Sequence, residues 1–366
     1  MVMKAIVLAG GYATRLRPIS YALPKLLFPV LGKPMISWTL DLLDNIGVDE
    51  VVLGVNYLAD SLRAEVGSKY KGMEIRYSLE DVPLGTAGPL KLASTKIRLD
   101  ETFIAMNGDV IADVDLAKML NHHKQTNASV TDALHEVKDP SRFGVVQLDD
   151  MGRVIRFVEK PKTREAPSRL VNAGIYVIEP EVLQMIPDTR KVSLEREIFT
   201  LLARDGKLIG FPFSGYWFDI GDLSEYQKAN FALLQERAQG PLREEDASVA
   251  ANATIRAPVF LGEATKVESK ATVGPCVIAA KNALIESGAR VSNSILFDGV
   301  TIGEESIVSG AILASNVKIG RKVRIERGSI VSPYVQINDG VKVGRNAKIH
   351  PYKEIDSNIK PGTHAM

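Results

Sequence analysis

The chain has 366 residues, which exceeds the length at which one hydrophobic core stops growing, so we expect two domains. Its 45 Lys and Arg residues and 44 Asp and Glu residues give a formal net charge of +1, which excludes the broad basic field of a nucleic-acid-binding protein. The single cysteine excludes an intramolecular disulfide and a Cys-rich metal site, and the five histidines show no ligand spacing.

The N-terminal segment "MKAIVLAGGYATRLRPISYALPK" begins with a short apolar run and then turns polar. The run from Ala5 to Ala9 predicts a buried strand, and Gly10 and Gly11 predict a tight turn directly after it. Two glycines let backbone N–H groups approach a phosphate chain closely, and Arg15 and Lys25 would add positive charge. A plain turn with solvated Arg and Lys side chains explains this loop alone equally well. The spacing matches neither the Walker A pattern nor G-x-G-x-x-G, which disfavours a kinase or a dehydrogenase.

The sequence shows neither the apolar stretch of a membrane-spanning helix nor that of a secretory signal peptide. No stretch approaches the roughly 20 apolar residues of a membrane span, and the N-terminal apolar run is too short for a secretory signal. We therefore expect a cytoplasmic protein with no membrane partner.

Up to about residue 230 the chain alternates strand-like and helix-like segments. The strand-like segments are "KAIVLAG", "EVVLGVN", "MEIRYSL", "TFIAMNGD" and "RVIRFVEK". The segment "PMISWTLDLLDNIGV" predicts the first helix, with Ile36, Leu40 and Leu43 on one face, and Gly47 after its end. The alternation predicts an α/β fold with a Rossmann-like mixed, mostly parallel sheet, whose ligands collect at the carboxyl ends of the strands.

Two aspartates end or follow strand-like segments, Asp109 in "FIAMNGDVI" and Asp219 in "GYWFDIGD". Carboxylates from separated segments, completed by phosphate oxygens, are ligands that Mg²⁺ uses, although either aspartate alone fits a turn or a cap. Lys160 in "FVEKPK" alone fits a solvated surface. A phosphate loop, cations and a carboxylate pair in one chain together favour phosphoryl chemistry.

After about residue 246 the apolar residues recur every six positions. This period predicts short strands stacked around a triangular core, the hexapeptide β-helix. The polar segment "QERAQGPLREED" predicts a linker, so we divide the chain into an α/β domain at 1–232, a linker at 233–247 and a β-helix at 248–366. The inward positions are predicted at Ile255, Leu261, Val267, Val273, Ala279, Ile285 and Val291, each followed four residues later by Val259, Thr265, Ala271, Val277, Ala283, Ala289 and Ile295. After two one-residue slips, through Ile302 and Val308, the period resumes at Ile319, Ile325, Val331, Ile337, Val343, Ile349 and Ile355.

Some conspicuous residues are interpreted as structural. His122 and His123 fall at the polar end of a helix-like run and are predicted to lie on a solvated surface. Cys276 is predicted to be a small apolar filler of the β-helix. Trp217 is interpreted as a packing residue that neighbours the proposed metal ligand Asp219.

Several motifs occur in the order found in one enzyme family. The motifs are "LAGGYATRLRP", Pro24-Lys25, "PLGTAGPL", "NGD", "FGVV", "VEKP", "VNAGIYV" and "GYWFDIG". Over nearly the whole chain the sequence resembles the sugar-1-phosphate nucleotidylyltransferases, and most closely their GDP-mannose-forming branch, which also carries a C-terminal left-handed β-helix. One departure is Ala13, where the family usually has a third glycine. Its methyl group would be tolerated only with φ below zero.

The resemblance implies that a phosphate oxygen of a sugar 1-phosphate attacks the α-phosphorus of an NTP in line and expels pyrophosphate. It implies that Arg15 and Lys25 hold the triphosphate and stabilise the leaving group. It also implies a Mg²⁺ cofactor on Asp109 and Asp219, and a sugar phosphate held by Lys160. The implied nucleotide-binding residues are Leu8, Ala9, Gly10, Gly11, Glu80, Gly85 and Asp109, and the implied sugar-phosphate-binding residues are Gly144, Glu159, Lys160 and Asn172.

The choice of base is predicted from Glu80, which precedes Gly85 by five residues where thymidine- and uridine-using relatives tend to carry Gln. Guanine presents two adjacent donors, N1–H and N2–H₂, which one carboxylate can accept together. Glu80 therefore favours GTP, and a loop carboxylate in water is the alternative. Mannose 1-phosphate as the sugar substrate rests on the overall resemblance, with UTP- or dTTP-dependent transfer to glucose 1-phosphate as the alternative.

Two other classes of function stay open from the sequence. A non-catalytic regulatory paralogue that binds a nucleotide sugar fits the Ala13 departure, although the catalytic residues implied above are all present. An acyltransferase reading of the β-helix lacks a well-placed base, because His350 and His364 lie at the far end of the chain. The flat sides and the open terminal coil of a β-helix predict a homo-oligomer.

Overall fold

The structure, a computed structural model, describes residues 2–56, 58–80, 84–187, 190–237 and 240–366. The chain forms two compact units. Unit 1 comprises Met1–Tyr12 and Ile36–Asp219, and unit 2 comprises Ala13–Met35 and Ile220–Met366. Neither unit is continuous in sequence, because the short segment Ala13–Met35 belongs to unit 2.

Helices and strands follow one another in the predicted alternation before the β-helix. In chain order the strands are β1 Lys4–Leu8, β2 Pro29–Val30, β3 Lys33–Pro34, β4 Glu50–Val55, β5 Lys69–Tyr70, β6 Met73–Leu79, β7 Phe103–Asn107, β8 Val110–Ala112, β9 Val130–Glu136, β10 Gly144–Leu148, β11 Val154–Glu159, β12 Leu170–Ile178, β13 Leu208–Phe213 and β14 Trp217–Asp219. The α-helices are α1 Met35–Asp44, α2 Ala59–Val66, α3 Gly88–Ala93, α4 Leu116–Gln125, α5 Thr200–Arg204 and α6 Leu223–Arg237. Shorter helical turns lie at Thr14–Leu16, Ile19–Tyr21, Lys25–Leu27, Thr163–Glu165, Pro180–Met185 and Leu194–Phe199.

The main sheet of unit 1 has the strand order β11-β10-β12-β7-β1-β4-β6-β5, and β9 pairs with β12 and β13. Strands β1, β4, β6 and β7 run parallel, whereas β12 runs antiparallel to β7 and β9. Ala5, Ile6 and Val7 of β1 are fully buried, as expected for a parallel strand covered on both faces. The predicted α/β fold with a mixed, mostly parallel sheet is confirmed.

Helix α1 matches the first predicted helix. Ile36, Leu40 and Leu43 are fully buried and form its inner face. The helix ends at Asp44, and Gly47 has a φ of +74° just beyond it. Such a left-handed position after a helix end favours glycine, which explains why the helix pattern stops there.

Unit 2 contains the predicted β-helix, a left-handed parallel coil of short strands. Every third strand joins the same sheet, in the orders β15-β18-β21-β24-β27-β30-β33-β35, β16-β19-β22-β25-β28-β31-β34 and β17-β20-β23-β26-β29-β32. The strands are β15 Leu242–Arg243, β16 Ser248–Val249, β17 Thr254–Ile255, β18 Val259–Leu261, β19 Lys266–Val267, β20 Thr272–Val273, β21 Val277–Ala279, β22 Leu284–Ile285, β23 Arg290–Ser292, β24 Ser294–Leu296, β25 Thr301–Ile302, β26 Ile307–Ser309, β27 Ile312–Leu313, β28 Lys318–Ile319, β29 Arg324–Ile325, β30 Ile330–Val331, β31 Gln336–Ile337, β32 Lys342–Val343, β33 Lys348–Ile349, β34 Glu354–Ile355 and β35 His364–Ala365.

The inward residues of the β-helix follow the predicted period with one local difference. The predicted inward residue Ile295 pairs with Ile278, and it is Leu296 that joins the core beside Ala279. The coil at the first slip is one residue short, so Ser294 takes the place expected for Ile295. The Ser294 hydroxyl donates to the Ser292 carbonyl at 2.7 Å, which satisfies the buried oxygen.

The structure contradicts two placements predicted from the sequence, those of His123 and Cys276. His123 is 2% exposed, and its ring nitrogens contact Thr131 Oγ1 at 2.8 Å and Glu179 Oε1 at 3.0 Å. The helix-like run points this histidine inward, where two polar partners satisfy it. Cys276 is half-buried at a corner with φ of +54°, so it is not a filler of the core.

The predicted linker 233–247 contains the end of α6 and β15 among its described residues. The domain bounds 1–232, 233–247 and 248–366 stay a prediction. Within the described part of the chain, no helix has the length and apolar character needed to cross a membrane.

Candidate active site

The predicted phosphate loop begins where β1 ends, between β4 and β7. The Ala9 N–H donates to the Gly54 carbonyl at 2.8 Å, and the Leu8 carbonyl accepts an N–H from the loop after β7 at 2.9 Å. These bonds hold the strand up to its last residue, so the turn starts at Gly10. Gly11 has a φ of +126°, a conformation that side chains rarely adopt.

Glu80 lies beside this loop. Its Oε1 accepts the Leu84 N–H at 2.7 Å. A Cβ on Gly10 would lie 3.2 Å from Glu80 Oε2 and 3.7 Å from Asn56 Nδ2. The side chain is half-buried and lies close to the loop backbone. Residues 81–83, which follow it in the chain, lie outside the described residues.

Gly85, the first of the two glycines in the "PLGTAGPL" motif, closely approaches another backbone segment. Gly85 has a φ of +83°, and a Cβ there would lie 2.3 Å from the Val192 carbonyl oxygen. The Val192 N–H donates to the Leu84 carbonyl, and the Ala87 N–H donates to the Val192 carbonyl, both at 3.0 Å. Glycine is therefore required at this position, and backbone hydrogen bonds hold residues 84–87 against Val192.

The two predicted metal ligands come from neighbouring chain segments of unit 1. Strand β14 runs antiparallel to β8, with Asp219 opposite Val110. Asp109 directly precedes Val110, so the two aspartates occupy adjacent positions across this pair of strands. In the described ranges no group of three or more His, Cys, Asp or Glu side chains could hold a metal by itself. Two hard carboxylates fit Mg²⁺ when phosphate oxygens complete its shell.

Trp217 anchors the strand that carries Asp219. Its indole N–H donates to the Ala173 carbonyl of β12 at 3.0 Å, and its ring centroid lies 5.1 Å from that of Phe143. Strand β14 is thereby tied to the main sheet.

The predicted sugar-binding residues lie at the same edge of the main sheet as the ends of β1 and β7. Gly144 of β10 is opposite Glu159 of β11, and Asn172 precedes the part of β12 that pairs with β7. Asn172 Oδ1 accepts the Gly174 N–H at 2.7 Å, and a Cβ on Gly174 would lie 2.5 Å from Asn107 Nδ2. The register therefore brings the three predicted residues to the edge at which β7 ends.

Glu159 and Lys160 form a partly exposed ion pair, with 3.3 Å between Oε1 and Nζ. Such a pair adds little stability, so its ammonium group keeps most of its capacity to bind an anion. A Cβ on Gly144 would lie 2.6 Å from Phe157 Cζ and 3.0 Å from Glu159 Oε2. The missing side chain at Gly144 leaves room around the Glu159 carboxylate.

The carboxyl group of Asp132, which is buried near this edge, was not identified from the sequence. Asp132 of β9 is fully buried, and neither of its carboxylate oxygens has a hydrogen-bond partner among the described residues. Burial raises its pKa well above the usual range, and the negative charge of Glu195 adds to this rise. Tyr176 pairs with Asp132 across the strands, and its hydroxyl accepts a hydrogen bond from Asn172 Nδ2 at 3.0 Å. The signal in the sequence is an aspartate inside the apolar run "SVTDAL".

Arg15, Lys25 and Ala13 belong to unit 2. The Arg15 guanidinium lies against Gly221, where an added Cβ would be 3.1 Å from Nη2. Ala13 has φ of 45° and ψ of 39°, so the condition of a negative φ is not met and its methyl group occupies the left-handed region. The Ala13 carbonyl accepts the Ser20 hydroxyl at 2.8 Å, which helps to hold this conformation.

Comparison with known proteins gives matches over both halves of the chain. The family described as Nucleotidyl transferase matches residues 4–236, and the GMPPB C-terminal domain matches residues 255–364. Mannose-1-phosphate guanylyltransferase 1 of Arabidopsis thaliana is 35% identical over 330 residues, covering 88% of this chain and 89% of the relative. Mannose-1-phosphate guanylyltransferase of Mycobacterium tuberculosis is 35% identical over 304 residues, covering 81% of this chain and 80% of the relative.

Solved structures resemble about two thirds of the chain. HddC from Yersinia pseudotuberculosis, solved in complex with GMP-PN, is 26% identical with a TM-score of 0.54. The match covers 63% of this chain and 100% of that one. The nucleotidyl transferase fold is thus shared with a protein that was crystallised with a guanine nucleotide.

Proposed function

Because the chain belongs to the nucleotidyl transferase family, we propose that it is a mannose-1-phosphate guanylyltransferase, which converts GTP and mannose 1-phosphate to GDP-mannose and pyrophosphate. The observation that carries this proposal is the identity of 35% over 88% of the chain to a relative of that name. The position of Glu80 against the Gly10 backbone supports a guanine nucleotide at the loop.

The reaction exchanges one phosphoanhydride for another. A phosphate oxygen of mannose 1-phosphate attacks the α-phosphorus of GTP, the bond from that phosphorus to the β-phosphate bridging oxygen breaks, and pyrophosphate leaves. The reaction is therefore close to equilibrium. Catalysis depends on in-line positioning and on neutralising the charge that builds on the leaving group, with no covalent enzyme intermediate.

The nucleotide is assigned to the loop after β1. The backbone N–H groups of Gly10 and Gly11 are proposed to bind the phosphates, aided by the neighbouring residues Leu8 and Ala9. Glu80 is proposed to accept both guanine donors. Its Oε1 already accepts one N–H, but a carboxylate oxygen has a second lone pair for the base. Gly85 is proposed to serve nucleotide binding by allowing the close backbone approach to Val192.

Asp109 and Asp219 would hold Mg²⁺ together with phosphate oxygens. Enzymes of this family generally use a divalent metal. The bound ion would supply positive charge next to the reacting phosphates. The choice of Mg²⁺ rests on the hard oxygen donors of the two aspartates, and Trp217 fixes the strand that carries one of them.

Arg15 and Lys25 are proposed to bind the triphosphate and to stabilise pyrophosphate as it leaves. Their assignment rests on their positions in the motifs "LAGGYATRLRP" and Pro24-Lys25. Guanidinium and ammonium groups form short, charge-assisted hydrogen bonds with phosphate oxygens.

Mannose 1-phosphate is assigned to the far end of the same sheet edge. Lys160 would bind its phosphate, and Glu159 and Asn172 would bind sugar hydroxyl groups. Gly144 leaves the space that a sugar ring needs next to Glu159.

Pyrophosphate release tests this function. The purified protein, Mg²⁺, one NTP at a time and either mannose 1-phosphate or glucose 1-phosphate are incubated together, with Asp109→Ala as the control. We expect release with GTP and mannose 1-phosphate that the variant abolishes. Release with UTP or dTTP and glucose 1-phosphate would contradict the substrate assignment, and no release with any pair would favour a regulatory, non-catalytic role.

We also propose that the protein is a cytoplasmic homo-oligomer that assembles through its β-helix. The single cysteine suits a reducing compartment. Among the described residues, β34 and β35 end their sheets of the β-helix without a further neighbouring strand, which favours capping by another chain.

A further inference from the structure

The segment Ala13–Met35 packs within the unit that contains the β-helix. It carries Arg15 and Lys25, to which the proposed function assigns the triphosphate. Residues on the β-helix that fix this segment would therefore affect nucleotide binding, an inference that rests on the proposed function.

An aromatic cluster joins the segment to the β-helix. The ring of Phe28 lies 5.6 Å from that of Tyr226 on α6 and 5.5 Å from that of Phe297, which follows β24. The rings of Tyr226 and Phe297 are 5.8 Å apart, and all three side chains are almost completely buried. Edge-to-face contacts among three buried rings fix the position of Phe28, three residues after Lys25.

The chain after Phe28 is held by two further contacts. The Leu31 N–H donates to Asn230 Oδ1 at 3.0 Å. Gly32 has a φ of +81°, and a Cβ there would lie 2.5 Å from the Phe260 ring of β18. The end of the segment is thus packed directly on a β-helix strand.

The middle of the segment is held by a residue from the last coils of the β-helix. The rings of Tyr21 and His350 are stacked, with centroids 5.3 Å apart and planes at 29°. The Arg17 guanidinium lies 4.8 Å from the centroid of the same tyrosine ring. The His350 N–H donates to the Ala365 carbonyl at 2.9 Å, which holds the histidine backbone in the coil.

We propose that His350 is a positioning residue for nucleotide binding, which acts through its stack on Tyr21 to hold the segment between Arg15 and Lys25. Tyr21 lies between the two basic residues in the chain, so its position limits the movement of both. The β-helix thereby takes part in binding the triphosphate and is more than a surface for assembly.

The stack suits a neutral imidazole. Burial lowers the pKa of His350, and the nearby His364 and Lys353 lower it further. Arg17 already places one positive charge on Tyr21, so a neutral ring adds no repulsion at pH 7.

His350→Ala and His350→Phe in the full chain test this role. A stack of this kind accounts for about a two- to tenfold effect on binding. We expect His350→Ala to raise the KM for GTP and the dissociation constant of Mg²⁺-GTP by that factor. The KM for mannose 1-phosphate should stay unchanged, and His350→Phe, which keeps a ring on Tyr21, should restore the wild-type values. His364→Ala is the matched control because it removes an exposed histidine from the same end of the β-helix.

Tyr21→Ala and the double variant complete a mutant cycle. If the two residues act through their contact, the double variant binds GTP about as weakly as either single variant. Additive effects, or an equal loss for both substrates, would overturn the positioning role. Wild-type protein that releases no pyrophosphate would contradict the proposed function instead, and the dissociation constants of GTP would still decide whether His350 contributes to nucleotide binding.

Discussion

For the single residue Glu80, the sequence motif and the contact with Gly10 both support a guanine nucleotide as substrate. The sequence predicts the choice of guanine from its carboxylate, and the structure adds that this carboxylate lies against Gly10. Glu80→Gln keeps an oxygen for the Leu84 N–H but replaces an acceptor with a donor. An unpaired buried polar group costs about 1 to 3 kcal/mol, so the GTP/UTP ratio of kcat/KM should fall by about 10- to 100-fold. An unchanged ratio would contradict the assignment.

At Ala13 the free-energy cost of having alanine instead of glycine depends on the backbone φ angle, which the sequence does not reveal. An alanine in the left-handed region is less favourable than glycine by about 1 to 2 kcal/mol, and the lower chain entropy of alanine offsets part of this. Ala13→Gly should therefore raise the free energy of unfolding by up to about 1 kcal/mol in denaturant titrations. Ala22→Gly is the control, because Ala22 has a φ of −121°. A loss of stability in both variants would argue against strain at Ala13.

Asp132 is buried without a partner among the described residues, so its raised pKa affects stability. The folded state binds the proton more tightly than the unfolded state, whose carboxyl titrates near about 3.9. Stability therefore falls as the pH rises from there to the folded pKa, by at most about 1.4 kcal/mol per pH unit. Asp132→Asn removes this loss, so its stability relative to wild type should increase with pH. Equal pH slopes for both proteins in urea unfolding would contradict this.

Single residues also mark where prediction from sequence fails. Asp109 and Asp219 could be selected because each follows a strand-like run, and β8 and β14 bring them to adjacent positions. His123 could not be placed, since its burial depends on Thr131 and Glu179, which come from other elements. Patterns along the chain report local structure, whereas partners of buried polar groups are set by tertiary packing.

At the element scale, the hairpin of β10 and β11 offers a test of the sugar site. Gly144→Ala places a methyl group against Phe157 and the Glu159 carboxylate. Displacing Glu159 would weaken a charge-assisted hydrogen bond, so we expect the KM for mannose 1-phosphate to rise by about tenfold or more. The KM for GTP should change less than twofold in the same assay, by roughly the error of such a measurement.

Gly72→Ala serves as the control for this hairpin, because a Cβ at Gly72 meets no atom within 4 Å. A Gly144→Ala enzyme with wild-type kinetics, or one in which the KM for GTP rises equally, would contradict the assignment of the sugar to this edge.

The β-helix was the most predictable element. Its period of six places one apolar residue inward on each short strand, so the core can be read from spacing alone. The error at Ile295 arises because the period is broken there by one residue, and only strand pairing shows that Leu296 faces inward. Regular spacing predicts repeats well, and the positions of irregular coils depend on contacts between coils.

At the scale of the whole molecule, the division into compact units could not be derived from the sequence. Composition and period suggest bounds near 232 and 248, yet Ala13–Met35 packs with the β-helix unit. Its attachment rests on contacts such as Phe28 with Phe297 and Tyr21 with His350, which are separated by hundreds of residues in the chain. A sequence pattern over a short window cannot predict contacts between residues that lie so far apart in the chain.

The oligomeric state is a further prediction for the whole molecule. We expect light scattering to give a mass above that of one chain at micromolar concentrations, because the open ends of the β-helix favour self-association. A monomeric mass at all concentrations would contradict this proposal and would leave the catalytic assignment untouched.

The most direct test of the central claim is ³¹P NMR of the wild-type protein with Mg²⁺, GTP and mannose 1-phosphate. Because the reaction is close to equilibrium, guanylyl transfer predicts that the triphosphate signals decrease in part, while those of a sugar diphosphate ester and of pyrophosphate appear in equal amounts. The appearance of inorganic phosphate alone, or an unchanged spectrum, would contradict the assignment of this chain as a guanylyltransferase.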